Sequence, residues 1–318
     1  MRLPQELQSA IEEKAAAIKH SGLLNDAKTL SERYREGSAK GKSLLSLESE
    51  AIAYAASRMP ATFCAVQTAL QYALELTDLT PKSLLDVGAG TGSASWAVDS
   101  LLDLSDILCL EREKAMSELG QNLMQNSESL KSAKWQSCDL STQEILESKD
   151  LIIVSYVLNE LDDITREKAL EKLKNATNMM LLIIEPGTTV AYKKLMQSRD
   201  FLLQKGMHLL APCPRAKPCP LPNGDWCHFS CRVERTRLHK SLKDGTLGYE
   251  DEKFSYLAFT KNPCNAAESR VLRHPLTEKS KITLNLCTKE GLQKSILTKK
   301  DGENYKKAKK SKWGDRFY

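Results

Sequence analysis

The sequence predicts an α/β protein built around a mainly parallel sheet. From residue 82 to about residue 206, short apolar runs alternate with amphipathic helical patterns, and this alternation is typical of βαβ units. A glycine-rich turn at 86–92, with the sequence DVGAGTG, joins the first apolar run to the first helical pattern. A second apolar run ends in Glu111. Together these observations predict a Rossmann-like fold that binds its ligand at the carboxyl ends of the strands.

Helices precede this sheet. Apolar residues recur at helical spacing between Leu7 and Ile18, and again between Leu70 and Leu76, and they predict an N-terminal helical region over residues 1–80 that caps the sheet. A further helix should begin near Asp163, and another should follow the fifth strand. Strands are expected at 83–87, 107–111, 133–138, 150–157 and 180–185.

The chain after Gly206 follows a different pattern. A loop rich in proline and cysteine comes first, and strand-like runs near 227–230 and 254–259 follow, the second of which fits an antiparallel last strand. Three further runs between residues 270 and 298 predict a small β-extension. We therefore expect three regions: the helices of 1–80, a ligand-binding domain over 81–262 with a Cys-rich insertion at 211–231, and a β-extension with a basic tail over 263–318.

Composition limits the class of protein. The chain has 318 residues, 41% of them hydrophobic, which is enough to bury a large core. No apolar stretch approaches the roughly 20 residues of a membrane span, and acids occur too early for a secretory or transit peptide, so we expect a cytoplasmic protein without membrane contact. The net charge is +5, but residues 211–318 hold 23 Lys and Arg against 12 Asp and Glu. This last third suits a polyanionic partner.

The spacing of the glycines indicates the ligand. Dinucleotide-binding turns read G-x-G-x-x-G, whereas this turn reads G-x-G-x-G with an acid two residues ahead, which suits S-adenosylmethionine better. The Glu111 carboxylate can accept both ribose hydroxyls. Asp139 can accept the adenine amino group or cap a following helix. The alternative is a turn whose glycines are purely structural. The predicted ligand contacts are Asp86 at the methionine end, Gly88, Gly90, Gly92, Glu111, Asp139 and Asn159.

Catalytic residues are less evident. Nucleic-acid amine methyltransferases often place an Asn/Asp-Pro-Pro-aromatic turn after the fourth strand, but residues 155–160 read SYVLNE. Methyl transfer mainly requires in-line positioning of the acceptor and a base, for which Glu160 and Glu185 are candidates. In a second interpretation, Glu160 holds the ammonium group of the ligand's methionine end.

Three cysteines crowd the proline-rich loop with the spacing C-x5-C-x7-C. Such a loop has almost no core of its own, and a metal centre would offset the conformational entropy that is lost when it is ordered. Nine cysteines in a chain expected to be cytoplasmic argue against disulfides. An iron–sulfur cluster, a zinc ion and no metal all remain open. The three are Cys213, Cys219 and Cys227, and the candidates for a fourth ligand are Cys231, Cys264, Cys287 and His228.

Two groups of basic residues predict an RNA-binding surface. The first follows the cysteine loop and includes Arg232, Arg235, Arg237 and Lys240, and the second contains seven lysines near the end of the chain. We expect the first group to contribute more to the affinity for RNA, because ordering a segment held by a metal centre costs less entropy than ordering a flexible end. The alternative is that these arginines pair with the acids at 250–252 and that the tail is merely solvated.

Longer motifs resemble one family. They are RMPAT at 58–62, LNEL at 158–161, EPGT at 185–188, DWCHFS at 225–230, YEDEKFSY at 249–256, LCT at 286–288 and WGD at 313–315. With the glycine turn, they make nearly the whole chain similar to the methyltransferase-like proteins of the mitochondrial small ribosomal subunit and their bacterial relatives.

This resemblance implies a class I methyltransferase fold that binds S-adenosylmethionine, carries a [4Fe-4S] cluster and acts in small ribosomal subunit assembly or translation, in contact with rRNA. We also expect a monomer. The alternative function is an active rRNA methyltransferase of the small subunit. Because the sequence begins without an organelle-targeting leader, we expect a bacterial-type member. By position, the cluster ligands become Cys213, Cys219, Cys227 and Cys287.

Overall fold

Helices form the first part of the chain. The computed structural model describes residues 1–35, 47–243 and 245–317, so part of the predicted N-terminal helical region, residues 36–46, lies outside the described residues. None of the helices in the described ranges is both long and apolar enough to cross a membrane. As the periodicity predicts, they bury their apolar faces in the main core. The helices before the first strand are α1 Gln5–Ala16, α2 His20–Arg35, α3 Glu48–Ser57 and α4 Met59–Leu74.

One large sheet forms the centre of the molecule. Its strands are β1 Ser83–Val87, β2 Asp106–Glu111, β3 Lys134–Ser137, β4 Lys149–Ser155, β5 Thr177–Pro186, β6 His208–Ala211, β7 Phe229–Glu234 and β8 Tyr249–Thr260. The order is β3-β2-β1-β4-β5-β8-β6, with β7 also paired to β8. The first five strands are parallel, and β8 is antiparallel to its neighbours. This is the Rossmann-like order of class I methyltransferases, which confirms the predicted fold.

The connecting helices begin where the sequence provides capping side chains. Asp162 accepts a hydrogen bond from the N–H of Thr165 at 3.0 Å, and Thr188 accepts one from Ala191 at 3.2 Å. Helices cover both faces of the central strands, which are therefore almost continuously buried. These helices are α5 Ser93–Asp99, α6 Lys114–Met124, α7 Asp163–Ala176 and α8 Thr189–Gln204.

Three local expectations are wrong. Strand β4 ends at Ser155 rather than at residue 157, because Tyr156 adopts a left-handed backbone with φ +61°. No helix follows β3 within residues 138–148, so Asp139 caps a turn there instead. Strand β6 was not expected. Its short apolar run HLLA lacks the alternation of apolar and polar residues that would distinguish a strand from a loop.

The last part of the chain forms a second sheet covered by a helix. Antiparallel strands β9 Ser269–Thr277, β10 Lys281–Thr288 and β11 Gly291–Thr298 confirm the predicted β-extension, and α9 Arg237–Leu242 precedes it. The lysine-rich end is not the expected flexible tail, because it forms α10 Gly302–Lys310. Ala308 and Phe317 anchor this end on the apolar face of the sheet.

Candidate ligand cleft and cysteine cavity

A cleft opens at the carboxyl ends of β1, β2, β3 and β4. Its wall contains Gly88 and Gly90 of the glycine turn, Glu111 after β2, Asp139 after β3 and Glu160 after β4. The topology therefore brings together side chains and backbone that are separated by up to 72 positions in the sequence. The other predicted contacts, Asp86, Gly92 and Asn159, are not among the residues that line this cleft.

The glycine turn needs its glycines for conformation as well as for space. Gly88, Gly90 and Gly92 have φ values of +69°, +57° and +85°, which L side chains rarely adopt. A Cβ at Gly88 would lie 2.4 Å from Cγ2 of Val157. Gly92 caps α5, and its Cβ would lie 2.5 Å from Met124 Cε. Gly92 therefore supports the turn from behind, whereas Gly88 and Gly90 form the cleft wall.

Asp86 lies behind the turn. Its Oδ2 accepts hydrogen bonds from the backbone N–H of Ser95 at 3.0 Å and from the Ser95 hydroxyl at 2.8 Å. Its Oδ1 is buried without a partner among the described residues. Burial raises the pKa of Asp86 to about 6. The carboxylate thus fixes α5 against the glycine turn, and its contact with a ligand's methionine end stays a prediction.

Glu111 is placed to accept hydroxyl groups. Its Oε2 accepts the N–H of Gly90 at 2.7 Å, and its Oε1 accepts the N–H of Glu113 at 2.7 Å. Burial raises the pKa of Glu111, although these backbone hydrogen bonds act to lower it. Because a carboxylate oxygen accepts two hydrogen bonds, each oxygen retains capacity for one ribose hydroxyl.

Asp139 caps a turn, and its contact with an adenine amino group stays a prediction. Its Oδ1 accepts the N–H and the hydroxyl of Ser141, at 2.8 and 2.6 Å, and caps the turn after β3. Its Oδ2 lies 3.7 Å from Nη1 of Arg112. These hydrogen bonds from Ser141 hold the pKa of Asp139 below its usual range. An adenine amino group would share Oδ2 with Arg112.

The two candidate bases occupy different environments. Glu185 is 2% exposed and accepts hydrogen bonds from the side chain and backbone N–H of Asn159, at 2.5 and 3.2 Å, so these two residues brace the segment after β4 rather than face the cleft. Burial raises the pKa of Glu185 to about 8. Glu160 lines the cleft, and burial raises its pKa to about 7 while Arg112 acts to lower it.

A larger cavity, which the sequence does not reveal, adjoins the cleft. Its volume is about 970 Å³, and Tyr54, Tyr156 and Glu160 line both spaces. Tyr156 has a left-handed backbone, and its hydroxyl donates to Glu252 at 2.9 Å. Strained backbone of this kind is concentrated at functional sites. A molecule in this larger cavity would lie beside a ligand bound in the cleft, because the two spaces share lining residues.

A separate cavity brings four cysteines together. It lies between α8, β8 and the near edge of the second sheet, and most of its lining is apolar. The hydroxyl of Tyr192 is 3.1 Å from the sulfur of Cys219. Cys231 instead contacts Cys64, and Cys264 packs against the main core. The His228 ring stacks on Trp226. The four cysteines are Cys213, Cys219, Cys227 and Cys287, the set that the family resemblance implies.

The four thiols influence one another. Burial raises the pKa of Cys287 to about 12, and Cys213 and Cys219 contribute to the increase. Burial also raises the pKa of Cys213, while the charges of Arg199 and Arg270 act to lower it. Within the part of the chain that the structure describes, however, no three His, Cys, Asp or Glu side chains are gathered around a point at which one metal ion would sit.

Half of the first basic group is paired. Arg232 forms two hydrogen bonds to Asp251, at 2.8 and 2.9 Å, and Arg235 pairs with Glu250 at 2.8 Å. These two arginines therefore pair with the acids at 250–252, which was the alternative to RNA contact. Arg237 and Lys240 on α9 form no ion pair with a described residue.

Comparison with known proteins identifies the family. The family described as mitochondrial small ribosomal subunit Rsm22 matches residues 48–318. The chain belongs to the Rsm22 family. This confirms the resemblance carried by the sequence motifs, because that family is the methyltransferase-like family of the small subunit.

Two relatives show how much of the Rsm22-family chain is similar to longer proteins. The human mitochondrial ribosome assembly protein METTL17 is 26% identical over 292 residues, which cover 84% of this chain and 62% of that protein. The Schizosaccharomyces pombe mitochondrial Rsm22-cox11 tandem protein 2 is 23% identical, with 84% and 43% covered. The chain thus spans less than two thirds of the length of these relatives.

Two solved structures are also similar to this Rsm22-family chain. One is magnesium protoporphyrin IX methyltransferase from Synechocystis PCC 6803 with bound S-adenosylmethionine, at 14% identity and a TM-score of 0.43, covering 73% of this chain and 90% of that chain. The other is a TehB-like methyltransferase from Corynebacterium glutamicum, at 17% identity and a TM-score of 0.41, covering 74% and 98%.

Proposed function

We propose that this Rsm22-family protein binds S-adenosylmethionine and a [4Fe-4S] cluster and acts in the assembly of the small ribosomal subunit. The observation that carries the proposal is the convergence of Cys213, Cys219, Cys227 and Cys287 on one cavity, in a chain of this family that also keeps a glycine-turn cleft. The name of the human relative, a ribosome assembly protein, supports the same role here.

The spacing of the cysteines favours a cluster over zinc. Zinc sites usually offer two C-x2–4-C pairs, whereas Cys213, Cys219 and Cys227 are separated by five and seven residues. A cluster bound to four cysteines supplies a rigid junction and a centre that can accept one electron. Cys213 and Cys219 come from the loop after β6, Cys227 precedes β7, and Cys287 lies on β10, so the cluster would join the two sheets.

The lysines of α10 and of the turn before it provide the RNA-facing surface that best fits the structure. The helix is ordered, its lysines are exposed, and Lys300, Lys309 and Lys310 form no ion pair with any described residue. We expect replacing these three lysines by alanine to weaken binding to small-subunit particles. The salt slope should fall by about three, since each lysine that faces a phosphate contributes about one to it.

Co-sedimentation across a range of salt concentrations measures this effect. Arg232→Ala is the matched control, because its charge is already paired with Asp251, and we expect it to change the slope little. If the Arg232 variant loses more binding than the triple lysine variant, the α10 surface is the wrong one.

The affinity for S-adenosylmethionine should depend on pH through Glu160. Below its pKa of about 7 the carboxyl is neutral, and above it the carboxylate can pair with the ligand's ammonium group. Affinity is therefore expected to rise between about pH 6 and pH 8 and then level off. Calorimetry tests this, with Glu160→Gln as the comparison. An equal rise in the variant would assign the titration to another group.

The adjoining cavity supports methyl transfer as a second candidate function. An acceptor held there would attack the methyl carbon, the sulfonium would leave as a neutral thioether, and Glu160 could take the acceptor's proton. Mass spectrometry of small-subunit rRNA from a strain lacking the protein tests this. A methyl group missing from this rRNA supports methyl transfer. An unchanged methylation pattern supports a protein that binds S-adenosylmethionine without transferring its methyl group.

A further inference from the structure

Two arginines are buried beside the four cysteines. Arg199 on α8 is 2% exposed and Arg270 on β9 is 1% exposed, and both line the cysteine cavity. Arg270 donates to the carbonyl oxygens of Pro212 at 3.1 Å and Gly314 at 2.8 Å, and it has no ion pair with a described residue. The carboxylate that Arg199 contacts belongs to Asp200, which is 60% exposed.

Both guanidinium groups keep unused hydrogen-bonding capacity in the interior. Nε of Arg199 and Nη2 of Arg270 are buried without a hydrogen-bond partner among the described residues. A buried charge that lacks a buried counter-charge is strongly unfavourable. An anionic group in the cavity that both arginines line would supply the missing counter-charge.

The charge of a cysteine-ligated cluster matches this requirement. Four thiolates around an oxidised [4Fe-4S] core carry a net charge of about −2, and one added electron makes the group more negative. The same arginines also hold the loop that carries Cys213. Arg270 binds the carbonyl oxygen of Pro212, and Arg199 binds those of Arg215 and Lys217, at 3.0 and 2.7 Å.

We propose that Arg199 and Arg270 are positioning residues that neutralise the cluster and set its reduction potential. This inference rests on the proposed function, because it needs the cluster. It goes further by assigning the neutralisation of the cluster's negative charge to two residues that do not bind the iron. Since the reduced cluster is the more negative form, removing either positive charge should disfavour the reduced form more than the oxidised form.

A redox titration of full-length protein purified without oxygen tests the inference. Dithionite supplies the electron, and visible absorbance and electron paramagnetic resonance follow the cluster. We expect Arg270→Gln and Arg199→Gln each to make reduction about tenfold less favourable, a shift of about 59 mV to more negative potential for one electron. Iron loss to a chelator should also become several-fold faster. Arg270→Lys keeps the charge and should restore most of the potential.

Arg166→Gln is the matched control. Arg166 is also 2% exposed, with one ion pair and one unpartnered nitrogen, but it does not line the cysteine cavity. Unchanged potentials in both iron-loaded glutamine variants would overturn the inference. If the glutamine variants lose their iron, Arg270→Lys is the deciding variant. Retention of iron by Arg270→Lys supports an effect of charge, whereas loss of iron equal to that of Arg270→Gln overturns the inference. Iron-free wild-type protein would instead contradict the proposed function.

Discussion

Replacing any one of the four cavity cysteines by serine is expected to abolish stable iron binding and to bleach the brown absorption near about 400 nm of protein purified without oxygen. A hydroxyl is a poor ligand for iron–sulfur clusters, and the loop at 212–221 has little core of its own to hold its conformation. Iron and sulfide content and the visible spectrum measure the result. The variants are Cys213→Ser, Cys219→Ser, Cys227→Ser and Cys287→Ser.

Two cysteines outside the cavity provide the control. Cys231→Ser and Cys264→Ser should stay coloured, because Cys231 contacts Cys64 and Cys264 packs on the main core. Cys287→Ser should in addition make the β9–β11 sheet more sensitive to proteases, since this cysteine is the proposed ligand on that sheet. A colourless Cys231 variant beside a coloured Cys287 variant would show that the fourth ligand is misassigned.

The second large effect is expected at the glycine-turn cleft. Glu111→Ala should weaken binding of S-adenosylmethionine roughly 10- to 100-fold, because the ribose hydroxyls lose a charged acceptor, which costs about 1.5–3 kcal/mol. Gly90→Val should abolish measurable binding, since it places a β-branched side chain at φ +57° in the cleft wall. Calorimetry with purified protein measures both.

A glycine outside the cleft separates backbone strain from the filling of ligand space. Gly206 has φ +83°, and a Cβ added there meets nothing within 4 Å. Gly206→Ala should therefore cost some stability but leave ligand affinity unchanged. Wild-type affinity in both Gly90→Val and Glu111→Ala would mean that the ligand does not bind in this cleft.

The parallel part of the fold follows from local patterns. Strands β1, β2 and β5 lie within a few residues of their apolar runs, and α7 begins at Asp163 as the helical spacing predicts. The glycine turn and Glu111 could be placed at one cleft because the carboxyl ends of neighbouring parallel strands meet at the same edge. Local spacing and sheet topology were sufficient for these features.

Other features depend on contacts between distant segments. Cys287 is about 60 residues beyond Cys227, and nothing in its local sequence distinguishes it from Cys264. Motif resemblance selected it, and the structure places it at the cavity. The pairing of Arg232 with Asp251 follows from the register of β7 and β8, which put these residues opposite each other. Such registers are not visible in the sequence of either strand.

The metal and sulfide content of the wild-type protein tests the central claim most directly. After purification without oxygen from cells that can supply iron–sulfur clusters, we expect about four iron and four acid-labile sulfide per chain, with negligible zinc. One zinc per chain with no iron would contradict the account, because the four cysteines would then converge on a single ion.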